Sequence, residues 1–367
     1  MNKRMRGYKY RAYPTKTQSA IIDKIFGCSR YVYNYYLDWR TRQWREFRNP
    51  TNYVATSRHL SHSLKPAQPW LCDADAVALQ QSLRDLDVAF ARFFSKRGRY
   101  PSFKRKRGHQ SYRTMCQNDC VRINGNRVRL PKVGWVKFAN SRDFCGEIKF
   151  ATVSKTASGK YFISLQVEEP FEVLSNSGGV IGIDVGISHF YTDSNSNVVD
   201  SPKALYQHQR KLKRLHRRLT RKQRGSANYR KASLRFAGEH ERVANIRNDF
   251  LHKQSFALAN ENQIVCVESL NVGGMLKNHH LAKATSDASW SRFFSLLEYK
   301  VASHGGELVK VPTFFPSSQL CSCCGYQNRK TRNLSIRQWT CPQCGARHNR
   351  DANAAKNILN QGLSLIA

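Results

Sequence analysis

Residues 181–187, with the sequence IGIDVGI, place one carboxylate inside an apolar strand. Apolar and small residues alternate there as in a strand packed on both faces, which is typical of a sheet covered by helices. An ionised aspartate in such a strand is costly unless a metal ion or a partner charge compensates it. Asp184 is therefore either a candidate functional group or a strand-end residue that caps a turn, and this stretch alone favours neither interpretation.

Two further carboxylates occupy comparable places in the chain. Glu268 stands at the end of a second buried-type strand, and Asp351 precedes an alanine-rich segment, where it could also be a helix N-cap or an ion-pair partner of Arg350. Three converging carboxylates cannot all be ionised and unpaired, whereas one or two Mg²⁺ or Mn²⁺ ions would neutralise them. Two such ions roughly 4 Å apart can promote phosphodiester hydrolysis, which is the RNase H-like, RuvC-type arrangement.

Four cysteines form two Cys-x-x-Cys pairs separated by 16 residues, and each pair is followed by a glycine. This spacing is typical of a zinc ribbon, and a closed four-thiolate site has a structural role and no chemistry. Cys323 is most simply a spare thiol, although it could replace Cys324, and we expect His348 beside the site rather than in it. The predicted zinc ligands are Cys321, Cys324, Cys341 and Cys344.

The balance of charge points to a polyanionic partner. The chain has 61 Lys and Arg against 25 Asp and Glu, a formal net charge of +36. Nucleic acid is the leading partner; a membrane surface is disfavoured because the sequence shows neither a basic amphipathic anchor nor a long apolar span. The odd number of cysteines, eleven, fits a reduced cytosol with one metal site better than a disulfide framework.

Residues 206–231 are the most basic segment, with eleven Lys or Arg and no acidic residue. Leucines 212, 215 and 219 recur at helical spacing, so one helix face packs and the others are charged. A solvated face is the usual alternative, but charge of one sign at this density favours binding to a phosphate backbone. The predicted contacts are Lys211, Lys213, Arg214, Arg217, Arg218, Arg221 and Lys222.

A second basic segment, residues 96–107 (KRGRYPSFKRKR), interleaves charge with Tyr100 and Phe103. That mixture is expected of a surface that contacts phosphates and bases, and Lys104 and Arg105 are its candidate contacts. Taken alone, the segment is better interpreted as a solvated loop.

The N-terminal part alternates between strand and helix signals. Residues 7–13 alternate like a strand that Pro14 ends, and residues 15–18 (TKTQ) have the spacing of a capping box. Apolar residues at three- and four-residue steps predict a helix after that box and a second helix over residues 75–94.

Hairpin signals follow from about residue 112. Residues 121–130 alternate around an Asn-Gly turn, and residues 146–153 and 160–167 form another hairpin. We expect a small antiparallel β domain that strand 7–13 joins, with the helical region inserted between. After the Asp184 strand, we expect strands over residues 189–193 and 198–199 and a returning helix over residues 245–258.

The chain as a whole resembles the TnpB family, transposon-encoded RNA-guided DNA nucleases related to the type V CRISPR effectors. The residues that carry this resemblance are IGIDVGI at 181–187, VESLNVGGM at 267–275, CSCCG at 321–325 and CPQCGARHNRDANAAKNIL at 341–359, supported by YKYRAYPTKTQ at 8–18, NDFLHK at 248–253, LAKATSDASW at 281–290 and LEYK at 297–300.

The resemblance implies a multidomain chain of α/β and α+β type. A small antiparallel β-barrel (the wedge, residues 1–13 and 111–177) carries a helical recognition lobe (14–110). An RNase H-like (RuvC) nuclease domain (178–367) follows, with a basic helical insertion at about 203–258 and a zinc ribbon at about 319–346.

The resemblance also implies chemistry and partners. Asp184, Glu268 and Asp351 match the family's catalytic positions, and the four cysteines match its zinc positions. The implied cofactors are structural Zn²⁺, catalytic Mg²⁺ or Mn²⁺ and a guide RNA from the transposon end, and the implied substrate is double-stranded DNA beside a short flanking motif. A separate transposase of the same element is a further candidate partner, and we expect a cytoplasmic, nucleoid-associated prokaryotic protein.

Two alternatives belong to other classes of function. A guided DNA-binding repressor would not cleave, and the intact set of three carboxylates argues against it. A transposase that joins strands itself would need paired histidines and a tyrosine nucleophile, whereas His279 and His280 are adjacent rather than spaced.

Overall fold

The computed structural model describes residues 3–116, 119–333 and 335–367. Residues 1 and 2 of the predicted segment 1–13, residues 117 and 118 of the predicted segment 111–177, and residue 334 of the predicted zinc ribbon lie outside the described part. The chain divides into two compact units, Met1–Phe171 and Glu172–Ala367. The finer division into a wedge, a recognition lobe and a nuclease domain stays a prediction.

The first unit contains a seven-stranded sheet. Its strands are β1 (Lys3–Tyr13), β2 (Gln110–Met115), β3 (Arg122–Asn124), β4 (Arg127–Leu130), β5 (Gly134–Phe138), β6 (Glu147–Lys155) and β7 (Tyr161–Pro170). Their order is β2-β6-β7-β1-β5-β4-β3, and every neighbouring pair is antiparallel.

The position of β1 confirms that the first strand joins the sheet of the later hairpins. It pairs with β7 over ten residues and with β5 at its C-terminal end. The predicted hairpins are also confirmed, and Gly125 adopts the left-handed conformation (φ 53°) that the turn between β3 and β4 requires. In this strand order β2 and β3 are the edges, so closure into a barrel stays a prediction.

The helices of the first unit follow β1. They are α1 (Lys16–Phe47), α2 (Tyr53–His59), α3 (Lys65–Ala67) and α4 (Ala76–Phe94), with a π turn at Leu60–Leu64 and a 3₁₀ turn at Pro69–Asp73.

Both predicted helix starts are confirmed. Thr15 Oγ1 accepts from Gln18 N (3.2 Å), and Gln18 Oε1 accepts from Thr15 N (3.0 Å), which completes the capping box of α1. Asp75 Oδ1 accepts from Val77 N (3.0 Å) at the start of α4. The sequence therefore predicted these two ends to the residue.

The second unit is built on a five-stranded sheet with a separate two-stranded ribbon. The strands are β8 (Gly179–Val185), β9 (Tyr191–Asp193), β10 (Val198–Val199), β11 (Asn262–Glu268), β12 (Glu307–Val311), β13 (Gln338–Thr340) and β14 (Arg347–Asn349). The sheet has the order β10-β9-β8-β11-β12, in which β8, β11 and β12 are parallel and β9 and β10 antiparallel; β13 pairs with β14.

Helices surround this sheet. They are α5 (Ala204–Thr220), α6 (Ala227–Glu261), α7 (Val272–Met275), α8 (Ala282–Ala288), α9 (Trp290–Ser303) and α10 (Arg350–Ser364), with a 3₁₀ turn at Arg329–Arg332. In the described part of the chain, no helix combines the length and the apolar character needed to span a bilayer.

The expected start of the returning helix was wrong. We expected it over residues 245–258, but α6 begins at Ala227, so the end of the basic segment belongs to α6. The reason is local: Gly225 is left-handed (φ 90°), and Ser226 Oγ accepts from Tyr229 N (3.1 Å) as the N-cap. A turn and a cap therefore separate α5 from α6 at residues 221–226.

The two faces of the sheet bury different partners. Ile181, Ile183, Val265 and Val267 face a core that α6 and α9 complete. The alternate residues face the other way, where Cys266 packs with residues of α10 and β12. Asp184 and Glu268 follow this alternation onto the α10 face.

Candidate active site

Asp184 and Glu268 lie side by side at the C-terminal ends of neighbouring strands. In the parallel register of β8 and β11, Ile183 is opposite Val267, and each acidic residue comes next in its strand. Neighbouring strands run about 4.8 Å apart. Ligands of α/β sheets bind at this edge, so the geometry places both carboxylates where a substrate would lie.

The third carboxylate is brought in by close packing of α10 on β8. A Cβ atom on Gly182 would lie 2.2 Å from the carbonyl oxygen of Ala355, so only glycine permits this approach. Asp184 is two residues further along the same strand face, and Asp351 is about one turn before Ala355 on the helix. The two acidic residues therefore lie at the same end of the β8–α10 contact and line one cavity.

Asp351 is not the N-cap of α10. That position belongs to Asn349, whose Oδ1 accepts from Asp351 N (3.0 Å) and Ala352 N (3.1 Å). The Asp351 carboxylate instead pairs with the guanidinium of Arg337, at 3.3 Å. The capping alternative for Asp351 was therefore wrong, and its ion-pair partner among the described residues is Arg337, not Arg350.

All three carboxylates line one cavity of about 290 Å³. Its remaining walls come from the β8–β9 connection and from two segments that flank the cysteine pairs. These other lining residues are Val185, Gly186, Ile187, Ser188, His189, Thr192, Ser317, Ser318, Arg337 and Arg350.

The carboxylates of the cavity repel one another. Burial, and then the charges of Glu268 and Asp351, raise the pKa of Asp184 well above its usual range, while Arg350 and Arg337 act in the opposite sense. Burial also raises the pKa of Glu268, against a hydrogen bond of 2.5 Å that Ser317 Oγ donates to its Oε1. A bound cation would relieve this repulsion.

The four predicted cysteine ligands also meet. Their sulfur atoms lie within 4.8 Å of one another, and the Cys321–Cys344 and Cys324–Cys341 Sγ–Sγ distances are both 3.6 Å. Tetrahedral zinc with Zn–S bonds of about 2.3 Å would hold sulfurs about 3.8 Å apart. The donor set and its spacing therefore fit zinc.

The two cysteine pairs have the same local structure. Gly325 N donates to Cys321 O and Gly345 N to Cys341 O, each at 2.9 Å, and both glycines are left-handed. Although burial acts to raise it, backbone N–H groups lower the pKa of Cys341 to about 7. The second turn thus favours the thiolate of Cys341, the form that binds a metal ion.

His348 and Cys323 lie beside this cluster. His348 is buried against Trp339, with its Nε2 3.1 Å from Cys321 Sγ, while Cys323 is exposed. Cys321, Cys323 and His348 form a second group that could hold a metal ion. This group overlaps the first at Cys321.

The basic residues predicted on α5 do not all have the same surroundings. Lys211 pairs at 2.7 Å with the buried Glu239, which also accepts from His208 (2.7 Å), so its charge is partly compensated. Leu212 is buried as the helical spacing predicts. The exposed residues, with no ion-pair partner in the described part of the chain, are Lys213, Arg214, Arg217, Arg218, Arg221 and Lys222.

Lys104 and Arg105 belong to the first unit, in the loop that follows α4. Asn34 holds this loop through hydrogen bonds with the backbone N (2.7 Å) and O (2.9 Å) of Lys104. The ammonium of Lys104 lies 4.0 Å from the centre of the Tyr33 ring. Contact of either residue with nucleic acid stays a prediction.

Two residues of the cavity escaped the sequence analysis. Arg337 lies just before β13, and its Nη2 also donates to Ser188 Oγ (3.3 Å). Ser317 lies just before the first cysteine pair. Neither residue belongs to a recognisable sequence pattern. The sequence could have indicated them only through their positions, since each lies shortly before a cysteine pair in the segment that leads to Asp351.

Three family models match parts of the chain. A model described as "Probable transposase" matches residues 162–279, one described as "Cas12f1-like, TNB domain" matches residues 290–358, and one described as "Helix-turn-helix domain" matches residues 1–49. Within the described part of that last range, β1 and the uninterrupted α1 form no helix-turn-helix.

Relatives match over nearly the whole chain. A protein of Streptomyces pristinaespiralis named "Putative RNA-guided DNA endonuclease" is 39% identical over 366 residues, which cover 99% of this chain and 90% of that protein. "Putative RNA-guided DNA endonuclease InsQ" of Escherichia coli (strain K12) is 31% identical, with 100% and 94% covered. "TnpB-like protein L79" of Acanthamoeba polyphaga mimivirus is 24% identical, with 97% and 73% covered.

A solved structure shares the fold. A cryo-EM structure described as the Cas12f1-sgRNA-target DNA complex matches with a TM-score of 0.61 at 12% identity, over 98% of this chain and 99% of that one. At this identity the likeness shows the fold alone. It confirms the coarse fold prediction, a RuvC-containing fold of the effector type.

Proposed function

The chain belongs to the TnpB family, and on that premise we propose that it is an RNA-guided DNA endonuclease that cuts DNA complementary to a transposon-derived guide beside a short flanking motif. The observation that carries the proposal is that Asp184, Glu268 and Asp351 line one cavity. Pairing with a guide would read the sequence, and the protein would read shape and the flanking motif. The net charge of +36 fits such partners.

The three carboxylates are the proposed ligands of Mg²⁺ or Mn²⁺. The fit rests on oxygen donors that line one cavity, and on the burial and mutual repulsion that together raise the pKa of Asp184. When bound, such ions act as Lewis acids toward a phosphodiester and activate water. Among the chain's own groups, Ser317 would orient Glu268, and the guanidinium groups of Arg337 and Arg350 would attract the phosphodiester.

The cysteine cluster is the proposed site of a structural zinc ion within a ribbon at about 319–346. Sulfur distances of 3.6 Å support this ligand set. The same proposal assigns the first unit to a wedge and a recognition lobe, which would contact guide and target.

The exposed side of α5 is the proposed guide or heteroduplex surface. Its basic residues have no acidic partner in the described part of the chain, whereas Lys211 has Glu239. Replacing Lys213, Arg214, Arg217 and Arg218 by Gln should lower the slope of log affinity against log salt by about 3 to 4. Lys211→Gln is the matched control. An unchanged slope in the fourfold variant would contradict this surface.

The decisive experiment tests cleavage. The full chain is purified with the RNA that it carries, the RNA is sequenced, and matching double-stranded DNA is offered with Mg²⁺. We expect cleavage that EDTA and Asp184→Asn abolish, while Asp249→Asn, which changes an exposed carboxylate paired with Lys253 on α6, leaves it intact. Guide-dependent binding without cleavage would contradict the nuclease and leave a guided DNA-binding repressor.

A further inference from the structure

Two buried asparagines of α10 hold the segment that carries the first cysteine pair. Asn353 and Asn357 are 2% and 6% exposed, and residues four apart lie on one face of a helix. Asp351 lies on a different face, roughly 200° around the axis from Asn353. The helix therefore presents its carboxylate to one side and two amides to another.

Asn353 forms hydrogen bonds with the backbone on both sides of Cys321. Its Nδ2 donates to the carbonyl of Leu320 (2.6 Å), and its Oδ1 accepts from the backbone N of Ser322 (2.9 Å). These are the two residues on either side of Cys321. The position of this cysteine is thus fixed from the active-site helix.

Asn357 reaches the other end of the same segment. Its Nδ2 donates to the carbonyls of Leu320 (2.7 Å) and Ser317 (2.8 Å). Ser317 is 5% exposed and donates its hydroxyl to Glu268. A continuous path of hydrogen bonds therefore runs from α10 through Asn357 and Ser317 to the second carboxylate.

The second cysteine pair is joined to α10 by the chain itself. It lies between β13 and β14, and β14 leads directly into α10 at Arg350. Arg350 N donates to Arg337 O (2.8 Å), which closes the base of this ribbon. A metal ion held by all four sulfurs would cross-link two segments, each of which is anchored on the helix that carries Asp351.

We infer that Asn353 and Asn357 are positioning residues that couple the cysteine cluster to the carboxylate site. They hold residues 317–322 against α10, so that Ser317 keeps Glu268 in the cavity that Asp351 also lines. When a residue that hydrogen-bonds to a metal ligand and orients it is lost, the metal affinity of the site falls about 10- to 100-fold. The inference rests on the proposed function, because it takes the three carboxylates as a cation site.

The test measures Mn²⁺ binding rather than cleavage. The full chain, loaded with zinc and free of nucleic acid, is titrated with Mn²⁺, and the concentration of free Mn²⁺ is measured by electron paramagnetic resonance. The Mn²⁺ binding that Asp184→Asn removes is assigned to the carboxylate site. We expect Asn357→Ala to weaken it about tenfold or more, with zinc content retained. Gln361→Ala, one turn further along α10, should leave it unchanged. Should Asn357→Ala not fold, Asn357→Ser takes its place.

A double-mutant cycle separates positioning from packing. If Asn357 acts through Ser317, the losses in Mn²⁺ affinity for Asn357→Ala and Ser317→Ala will not add. A lower melting temperature with unchanged Mn²⁺ affinity, or fully additive losses, overturns the inference. If the unaltered chain shows no Mn²⁺ binding that Asp184→Asn removes, the proposed function fails with it. If the unaltered chain and Asn357→Ala bind Mn²⁺ at this site equally tightly, the inference is overturned, but the proposed function is not.

Discussion

The four cysteines and the three carboxylates are both sets of candidate metal ligands, but they are assembled in opposite ways. The cysteines lie within 24 consecutive residues, in two turns with the same hydrogen bonds. The carboxylates span residues 184 to 351 and come from two strands and a helix. The first set is specified by local backbone geometry, the second by the packing of a sheet against α10.

The difference teaches where each site is vulnerable. The cysteine cluster depends mainly on its own ligands, since each turn forms from a few neighbouring residues and Asn353 adds a tertiary anchor beside Cys321. The carboxylate site depends on residues that never touch a metal ion, such as Gly182. Substitutions that affect one of the two sites and not the other therefore test this comparison.

The largest effect should come from removing a cysteine ligand. Cys321→Ser should abolish zinc binding and lower the melting temperature by on the order of 10 °C, because metal binding contributes directly to folding. Elemental analysis and thermal unfolding measure both. Cys323→Ser, an exposed thiol in the same turn, is the control. Unchanged zinc content in Cys321→Ser would refute the ligand assignment.

A packing change should come next. Gly182→Ala would force a methyl group against Ala355 O and should destabilise the protein by about 1 to 3 kcal/mol, with loss of cleavage. Chemical denaturation measures the free energy of unfolding. Gly238→Ala on α6, where a Cβ meets no atom within 4 Å, should instead stabilise by about 0.5 to 1 kcal/mol. Normal stability and cleavage in Gly182→Ala would break the comparison.

The burial of Asp184 and its repulsion by the other carboxylates should appear as a pH dependence. The pKa of Asp184 is raised on folding, so without divalent metal the native state loses stability as pH rises from about 4 through that raised pKa. Asp184→Asn removes this loss. Its melting temperature should exceed that of the unaltered chain at pH 8, and the two should converge near pH 4.

When Mg²⁺ is added, the unaltered chain should instead have a higher melting temperature than Asp184→Asn, because Mg²⁺ stabilises only the chain that retains Asp184. Asp249→Asn, which changes an exposed carboxylate, controls for general charge effects. If Asp184→Asn gave no advantage at pH 8 without metal, burial and repulsion would not destabilise the Asp184 carboxylate as described.

The smallest effect on stability should come from Arg337. Its ion pair with Asp351 is half-exposed, so Arg337→Gln should change the free energy of unfolding by less than about 1 kcal/mol. Cleavage should nevertheless fall about 10- to 100-fold, because a positive charge is lost from the cavity. Arg347→Gln, on the exposed side of β14, is the control. Equal cleavage by both variants would remove Arg337 from the site.

The sequence predicted what local patterns can specify. The cysteine spacing predicted all four sulfur atoms that meet. The capping box predicted the start of α1, the apolar periodicity predicted α4, and the turn signal predicted the hairpin around Gly125. The three carboxylates were found because each stands at the end of a strand or near the start of a helix. Their catalytic role rests on resemblance and stays a prediction.

The rest depends on tertiary structure. The asparagine cap at Asn349, the Arg337–Asp351 pair and the Ser317–Glu268 hydrogen bond join residues whose sequence neighbourhoods are unrelated. The early start of α6 was missed because its first turns carry few apolar residues. The Glu239 carboxylate beneath Lys211 showed that a run of positive charge in sequence is not a uniformly free charged surface.

The compactness of the cysteine turns also sets an order of folding. Closing a flexible loop costs more as its length grows, so bringing Glu268 to Asp184 across 84 residues costs about 1.4 kcal/mol more than joining the two cysteine pairs across 16. Contacts between sequence neighbours also form faster than distant ones. We therefore expect the cysteine turns to form before the sheet is complete, and the carboxylate site to be among the last parts of the chain to assemble.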